Sequence, residues 1–137
     1  MQVKKSTLYI ICPIFITILT CGYIAYVNYE KKTAEERDKA ELRASFEKDC
    51  EREYQSLLNE YEFIIKTIKD NSYSDRFRYK YVIKLNDLLG FRRYKVGTFT
   101  EYEAVRDCIS DLHLNEEKDK NTLKHKAYQK AYNEWFK

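Results

Sequence analysis

The sequence predicts an all-α protein with a single N-terminal transmembrane helix, a long charged stalk helix and a small helical bundle. Three observations lead there. Glycine and proline are scarce, 3 and 1 in 137 residues, which speaks against β-sandwiches, collagen-like repeats and flexible low-complexity linkers. Of the chain's 25 basic and 22 acidic residues, only Lys4 and Lys5 fall in the first 29 positions. Beyond them, apolar residues recur at three- and four-residue spacings, the period of a helix that buries one face.

Residues 1–6 form a short basic tail, and residues 7–29 read as the anchor. From Ser6 to Tyr29 no residue is charged, and Leu8, Ile10, Ile11, Ile14, Phe15, Ile16, Ile18, Leu19, Ile24, Ala25 and Val27 are apolar. As a helix this run reaches roughly 36 Å, enough to cross a hydrocarbon core of about 30 Å. Pro13 near its start is tolerated in such spans. Tyr9 at one end and Tyr23, Tyr26 and Tyr29 at the other match the aromatic belts of bilayer interfaces. A cleaved secretory signal is the rival, with Thr20-Cys21-Gly22 as a small-residue site. The apolar run continues through Val27, past any such cut, which favours an uncleaved anchor. The basic tail places the N-terminus in the cytoplasm and the polar domain on the non-cytoplasmic side. Lys31, Lys32, Arg37, Lys39 and Arg43 pull the other way, but long domains translocate largely regardless of charge.

Residues 30–45 read as a charged helical stalk. Lys31–Glu35, Lys32–Glu36, Glu35–Lys39 and Arg37–Glu41 are opposite charges at i,i+4, each pair worth a few tenths of a kcal/mol. Residues 46–137 form the helical domain. Phe46, Cys50, Tyr54, Leu57, Tyr61, Ile64 and Ile68 make an apolar stripe on the first long helix. Within it Tyr54, Leu57, Tyr61, Ile64 and Ile68 span two heptads, a face suited to a partner helix in the same chain or in a second copy. Short of the three or four heptads that define a coiled coil, the pattern favours an ordinary bundle helix.

Asn71-Ser72-Tyr73-Ser74-Asp75 is a polar break with N-cap chemistry. Arg76–Tyr81 alternates like a strand, yet Phe77, Tyr81, Leu85 and Leu88 share a helical face and Gly90 stands where a helix C′ residue belongs. The longer pattern predicts a helix over 75–89. Thr100 and Glu103 form a capping box for the next helix, whose buried stripe is Tyr102, Val105, Ile109 and Leu112. Asn115 is expected to cap a separate last helix through Leu123, Ala127, Ala131 and Trp135.

Candidate sites are few. Cys12 and Cys21 fall in the span. Cys50 and Cys108 lie on apolar helix faces; outside the cytoplasm they could pair, closing a loop of about 59 residues worth roughly 4 kcal/mol, and the alternative is two separate buried thiols. No Cys-x-x-Cys or His-x-x-x-His spacing exists, so no metal or cofactor is expected. His113 and Cys108 fall on different helical faces, His125 stands between two lysines, and the carboxylates are spread along helices. Without a nucleophile elbow, phosphate loop or zinc-protease motif, the chain reads as a non-enzyme with no small-molecule substrate.

One segment concentrates charge. Between 76 and 95 stand Arg76, Arg78, Lys80, Lys84, Arg92, Arg93 and Lys95 against the single acid Asp87, interleaved with Phe77, Tyr79, Tyr81, Phe91 and Tyr94. This basic-aromatic mix suits single-stranded nucleic acid or an anionic lipid surface. From position 30 onward, however, the chain has 23 basic and 22 acidic residues. Internal pairing with the acid-rich helix 31–63 is therefore expected instead.

In architecture alone the chain is similar to inner-membrane spanin subunits of phage lysis systems: basic tail, one span, charged helical ectodomain and cysteines near dimer contacts. The leading expectation is a membrane-anchored, non-enzymatic interaction or tethering protein, with a protein partner or a parallel homodimer through helix 46–68. The first alternative is a cytoplasm-facing module that holds nucleic acid or anionic lipid through residues 76–95. The second is a small secreted helical protein.

Overall fold

The computed structural model describes the backbone of residues 5–94, 96, 97 and 100–137, and their side chains from residue 13 on, apart from residue 14. Every regular element among the described residues is helical: α1 (Lys5–Lys69), α2 (Asp75–Leu89) and α3 (Glu101–Trp135). The chain divides into two compact units, Met1–Ala44 and Ser45–Lys137.

In the first unit the helix carries its apolar side chains bare. Phe15, Ile16, Ile18, Leu19, Tyr23 and Ile24 are each more than half exposed. The threonines bond inward: Thr17 Oγ1 donates to the Pro13 carbonyl at 2.6 Å and Thr20 Oγ1 to the Ile16 carbonyl at 3.0 Å. Among the described residues no helix is long and apolar enough to cross a membrane. Of the predicted span, the side chains of residues 7–12 and of Ile14 lie outside the described ones, as does the tail 1–4. None of the four predicted stalk pairs closes. Ion pairs among the described residues begin at Arg52–Asp49. Exposed pairs gain little against the entropy of fixing two long side chains, so solvated charges are the ordinary outcome.

The second unit is a bundle of three packed helices. Asp49 meets Trp135, Glu53 meets Lys130 and Tyr61 meets Asp119. One number falls as the other rises, so α1 and α3 run antiparallel. Tyr61, Ile64 and Ile68 of α1, Val82, Leu85 and Leu89 of α2, and Val105, Cys108, Leu112 and Leu123 of α3 build one buried core. At the other end Ala127 and Ala131 are buried, and their small side chains let the helices approach closely. There Phe46 packs edge-on against Tyr128 (5.5 Å between centroids) and Trp135 (5.8 Å). Such pairs add about 0.5–1.5 kcal/mol beyond their burial.

The helix ends follow local chemistry. Asp70 accepts the Ser72 N–H at 2.9 Å and closes the turn after α1. Ser74 caps α2 by accepting from the Phe77 N–H. Gly90 ends it at φ +81, donating its N–H to the Asn86 and Asp87 carbonyls. A side chain at that φ is strained, which is why glycine stands there. Lys126 reaches across from α3 to the Leu88 carbonyl at 2.6 Å, placing a cation at the negative end of the α2 dipole. Thr100 and Glu103 form the reciprocal capping box of α3.

One expected boundary is absent. α3 runs unbroken through Asn115, whose side chain caps nothing: its amide donates to the Asp111 carbonyl at 3.0 Å and its oxygen accepts from Arg93. The buried stripe Cys108, Leu112, Asp119, Leu123, Ala127 and Ala131 keeps helical spacing throughout. Asparagine is a favoured N-cap residue, which is why Asn115 suggested a helix start.

Candidate functional site

The most concentrated chemistry lies around Asp119, which is 0% exposed. Its Oδ1 is 2.9 Å from Arg93 Nε. Its Oδ2 accepts from Tyr94 Oη at 2.7 Å and from Tyr61 Oη at 3.4 Å. The Arg93–Asp119 contact is ionic rather than an aligned hydrogen bond, since neither atom has a partner of hydrogen-bond geometry. Arg93 Nη1 also donates to Asn115 Oδ1 at 3.0 Å.

Asn86 completes the arrangement from α2. Its oxygen accepts the Arg93 and Tyr94 backbone N–H groups (3.0 and 2.9 Å), and its amide donates to the Tyr94 carbonyl (2.9 Å). The connection after Gly90 is thereby fastened to α2 by backbone and to α3 by side chains. Burial foremost, with the Asp119 carboxylate beside them, pushes both tyrosine hydroxyls well above their ordinary range. Cys108 in the same core is pushed up to about 12, first by burial and then by the charges of Asp111 and Asp119. A carboxylate closed to solvent and held by a guanidinium and two phenols joins three parts of the fold. It offers no open position to a substrate.

The basic-aromatic segment does not form one surface. Arg78 turns inward, 9% exposed, and its guanidinium bonds the Ile68 carbonyl, Asn71 and Asp75. Tyr94 is core and Arg93 belongs to Asp119. Tyr79 is half-buried and its hydroxyl accepts the Gly97 N–H at 3.2 Å. Arg76, Lys80, Lys84 and Arg92 are exposed; Lys95 lies outside the described residues. The neutralising acids are also not those expected. They come from α2 (Asp75) and α3 (Asp119), not from helix 31–63.

The predicted partner-helix face is occupied within the chain. Tyr61, Ile64 and Ile68 are buried in the core, with Tyr54 and Leu57 packed partly buried against it. Within one chain much of this face is thus covered, while Tyr54 and Leu57 at its start keep part of their surface exposed. The proposed disulfide is absent: Cys50 and Cys108 are both free. The antiparallel register explains why. Cys50 lies level with the Trp135 end of α3, about 39 Å along that helix from Cys108 at 1.5 Å per residue, whereas bridged Cα atoms stand within about 7 Å. Among the described residues no cluster of His, Cys, Asp and Glu could hold a metal.

Small cavities mark the bundle surface among the described residues. One of about 180 Å³ is lined by Tyr61, Lys66, Lys69, Glu116 and Lys120. A second, about 300 Å³, lies between Tyr79, Asp87, Arg92 and Gly97, and a third, about 190 Å³, between Arg78, Tyr102 and Arg106. All fall below the roughly 300–1,000 Å³ of ordinary ligand sites or at its lower edge.

No family model, curated protein or solved structure matches this chain. Its function therefore has to be argued from its own residues. Sequence reasoning missed Asp119, Asn86 and Lys126. The first had a readable signal, an acid at a core position of the stripe between Leu112 and Leu123. The others bond backbone groups that only the tertiary fold brings near.

Proposed function

We propose that this chain is a single-pass, membrane-anchored, non-enzymatic interaction protein, in which a charged helical segment links an apolar anchor to a three-helix module. The observation that carries the reading is the bare apolar helix of the first unit. Side chains such as Phe15, Ile16, Ile18 and Leu19 are about three-fifths exposed among the described residues. A helix apolar on its exposed surface calls for an apolar medium. Inward-bonded threonine hydroxyls suit that medium, where an unpaired polar group costs several kcal/mol.

The non-enzymatic half of the reading is supported by how the polar groups are used. The carboxylate with the most unusual surroundings, Asp119, is sealed and spent on holding helices together. The module belongs on the non-cytoplasmic side, because Lys4 and Lys5 hold the tail inside. A full-length chain carrying Cys50→Ser and Leu114→Cys tests the anchor and the side of the module, since Leu114 is 77% exposed and Cys108 is buried. The protein is expected in the membrane fraction, with position 114 labelled by an impermeant maleimide in intact cells. Labelling only after lysis would turn the module to the cytoplasm, and recovery from the soluble fraction would overturn the reading.

A further inference from the structure

Along the outer face of α2 and the turn before it run a row of rings and a row of cations. Tyr73, Phe77 and Tyr81 follow one another at four-residue steps, their ring centroids 4.8 and 5.2 Å apart, and Phe63 of α1 extends the row 6.0 Å from Tyr81. Phe63 is 59% exposed, Tyr73 45% and Phe77 37%. Beside it Arg76, Lys80 and Lys84 repeat the same four-residue step, all exposed. None of the three makes an ion pair among the described residues; Lys84 Nζ lies 4.7 Å over the Tyr81 ring. Of the two acids on α2, Asp75 pairs with Arg78 and Asp87 lines the cavity that Arg92 also lines. Contiguous exposed rings and cations left without carboxylates are what a partner surface looks like before its partner arrives.

We infer that this face docks an acidic amphipathic helix of a partner protein. Within α2 the steps from Phe77 to Tyr81 and along Arg76, Lys80 and Lys84 rise about 6 Å, the i,i+4 step of any helix. The complement is a helix with acids at i, i+4 and i+8 beside a row of aliphatic side chains, packed ridge into groove. Nucleic acid fits less well. The rings tilt onto one another at 33°, 49° and 66°, closing the flat faces that bases would stack on. An anionic bilayer also fits less well, because an exposed acid, Glu60, stands one turn before Phe63. The inference rests on reading the chain as an interaction module.

The test is a selection. Full-length chain in detergent micelles is screened with displayed short helices built from Ala, Leu, Glu, Lys and Gln. Recovered helices are expected to carry acids at i, i+4 and i+8 beside a leucine row. They should bind the Lys80→Glu/Lys84→Glu chain about tenfold more weakly, with its helicity checked by circular dichroism. Helices without that spacing, equal binding to both chains, or no recovered helix would overturn the inference. So would binding through Lys80 and Lys84 seen only with an oligothymidylate or with phosphatidylglycerol vesicles. Because detergent replaces the bilayer, a failed selection counts against this face, whereas the anchor is judged separately by fractionation.

Discussion

Asp119 shows how much one side chain can decide. A buried charge is tolerable only when paired and hydrogen-bonded, and here Arg93 and Tyr94 supply the pairing at 2.9 and 2.7 Å. Asp119→Ala leaves the Arg93 guanidinium, 17% exposed, without its counter-charge and two phenols without their acceptor. A loss of about 3–5 kcal/mol is expected from urea unfolding. A loss under about 1 kcal/mol would mean that water replaces the carboxylate. The raised groups around it set a second expectation. Cys108, at about 12 against an ordinary 9.0, and the two tyrosines keep their protons more tightly in the folded chain. Below about pH 8 neither state has lost those protons, so their contribution is complete. As pH rises past the unfolded-state values only the unfolded chain ionises, and stability falls by about 1.4 kcal/mol per pH unit for each such group. For Cys108 that window runs from about 9 to about 12. Unfolding midpoints between pH 8 and pH 11 check it, and the Cys108 thiol should resist alkylation until the chain unfolds.

At the scale of elements, what was legible in the sequence was what local chemistry writes. The limits of α2 follow from Ser74 and Gly90, and the start of α3 from Thr100 and Glu103, because caps act within four residues. The continuity of α3 was not legible, because an asparagine reads as a helix start. The acid in its stripe is paired with Arg93 and Tyr94, about 25 residues earlier, and nothing local announces that pairing either. For the same reason Arg78 and Arg93 were grouped with Lys80 and Lys84. As letters they are alike, and only packing tells an inward guanidinium from a solvated ammonium. The stripe Tyr61, Ile64 and Ile68 was correctly read as buried, but its cover is the chain's own α2 and α3. Ile64→Ala is therefore expected to cost about 2–5 kcal/mol, with an unfolding midpoint that does not change with protein concentration. A midpoint that rises with concentration would put a second copy on this face after all.

For the whole molecule, two kinds of helix stand in one chain. In the second unit the inner apolar faces of the three helices cover one another, and the buried charges are paired. In the first unit the large described apolar side chains are more than half exposed, and the proposed cover is a bilayer. That contrast is the basis for the membrane reading, and alkaline carbonate extraction of cell membranes tests it most directly. Full-length chain should stay in the pellet, and a chain lacking residues 7–29 should move to the supernatant with its helicity intact. Full-length chain released by carbonate would contradict the account.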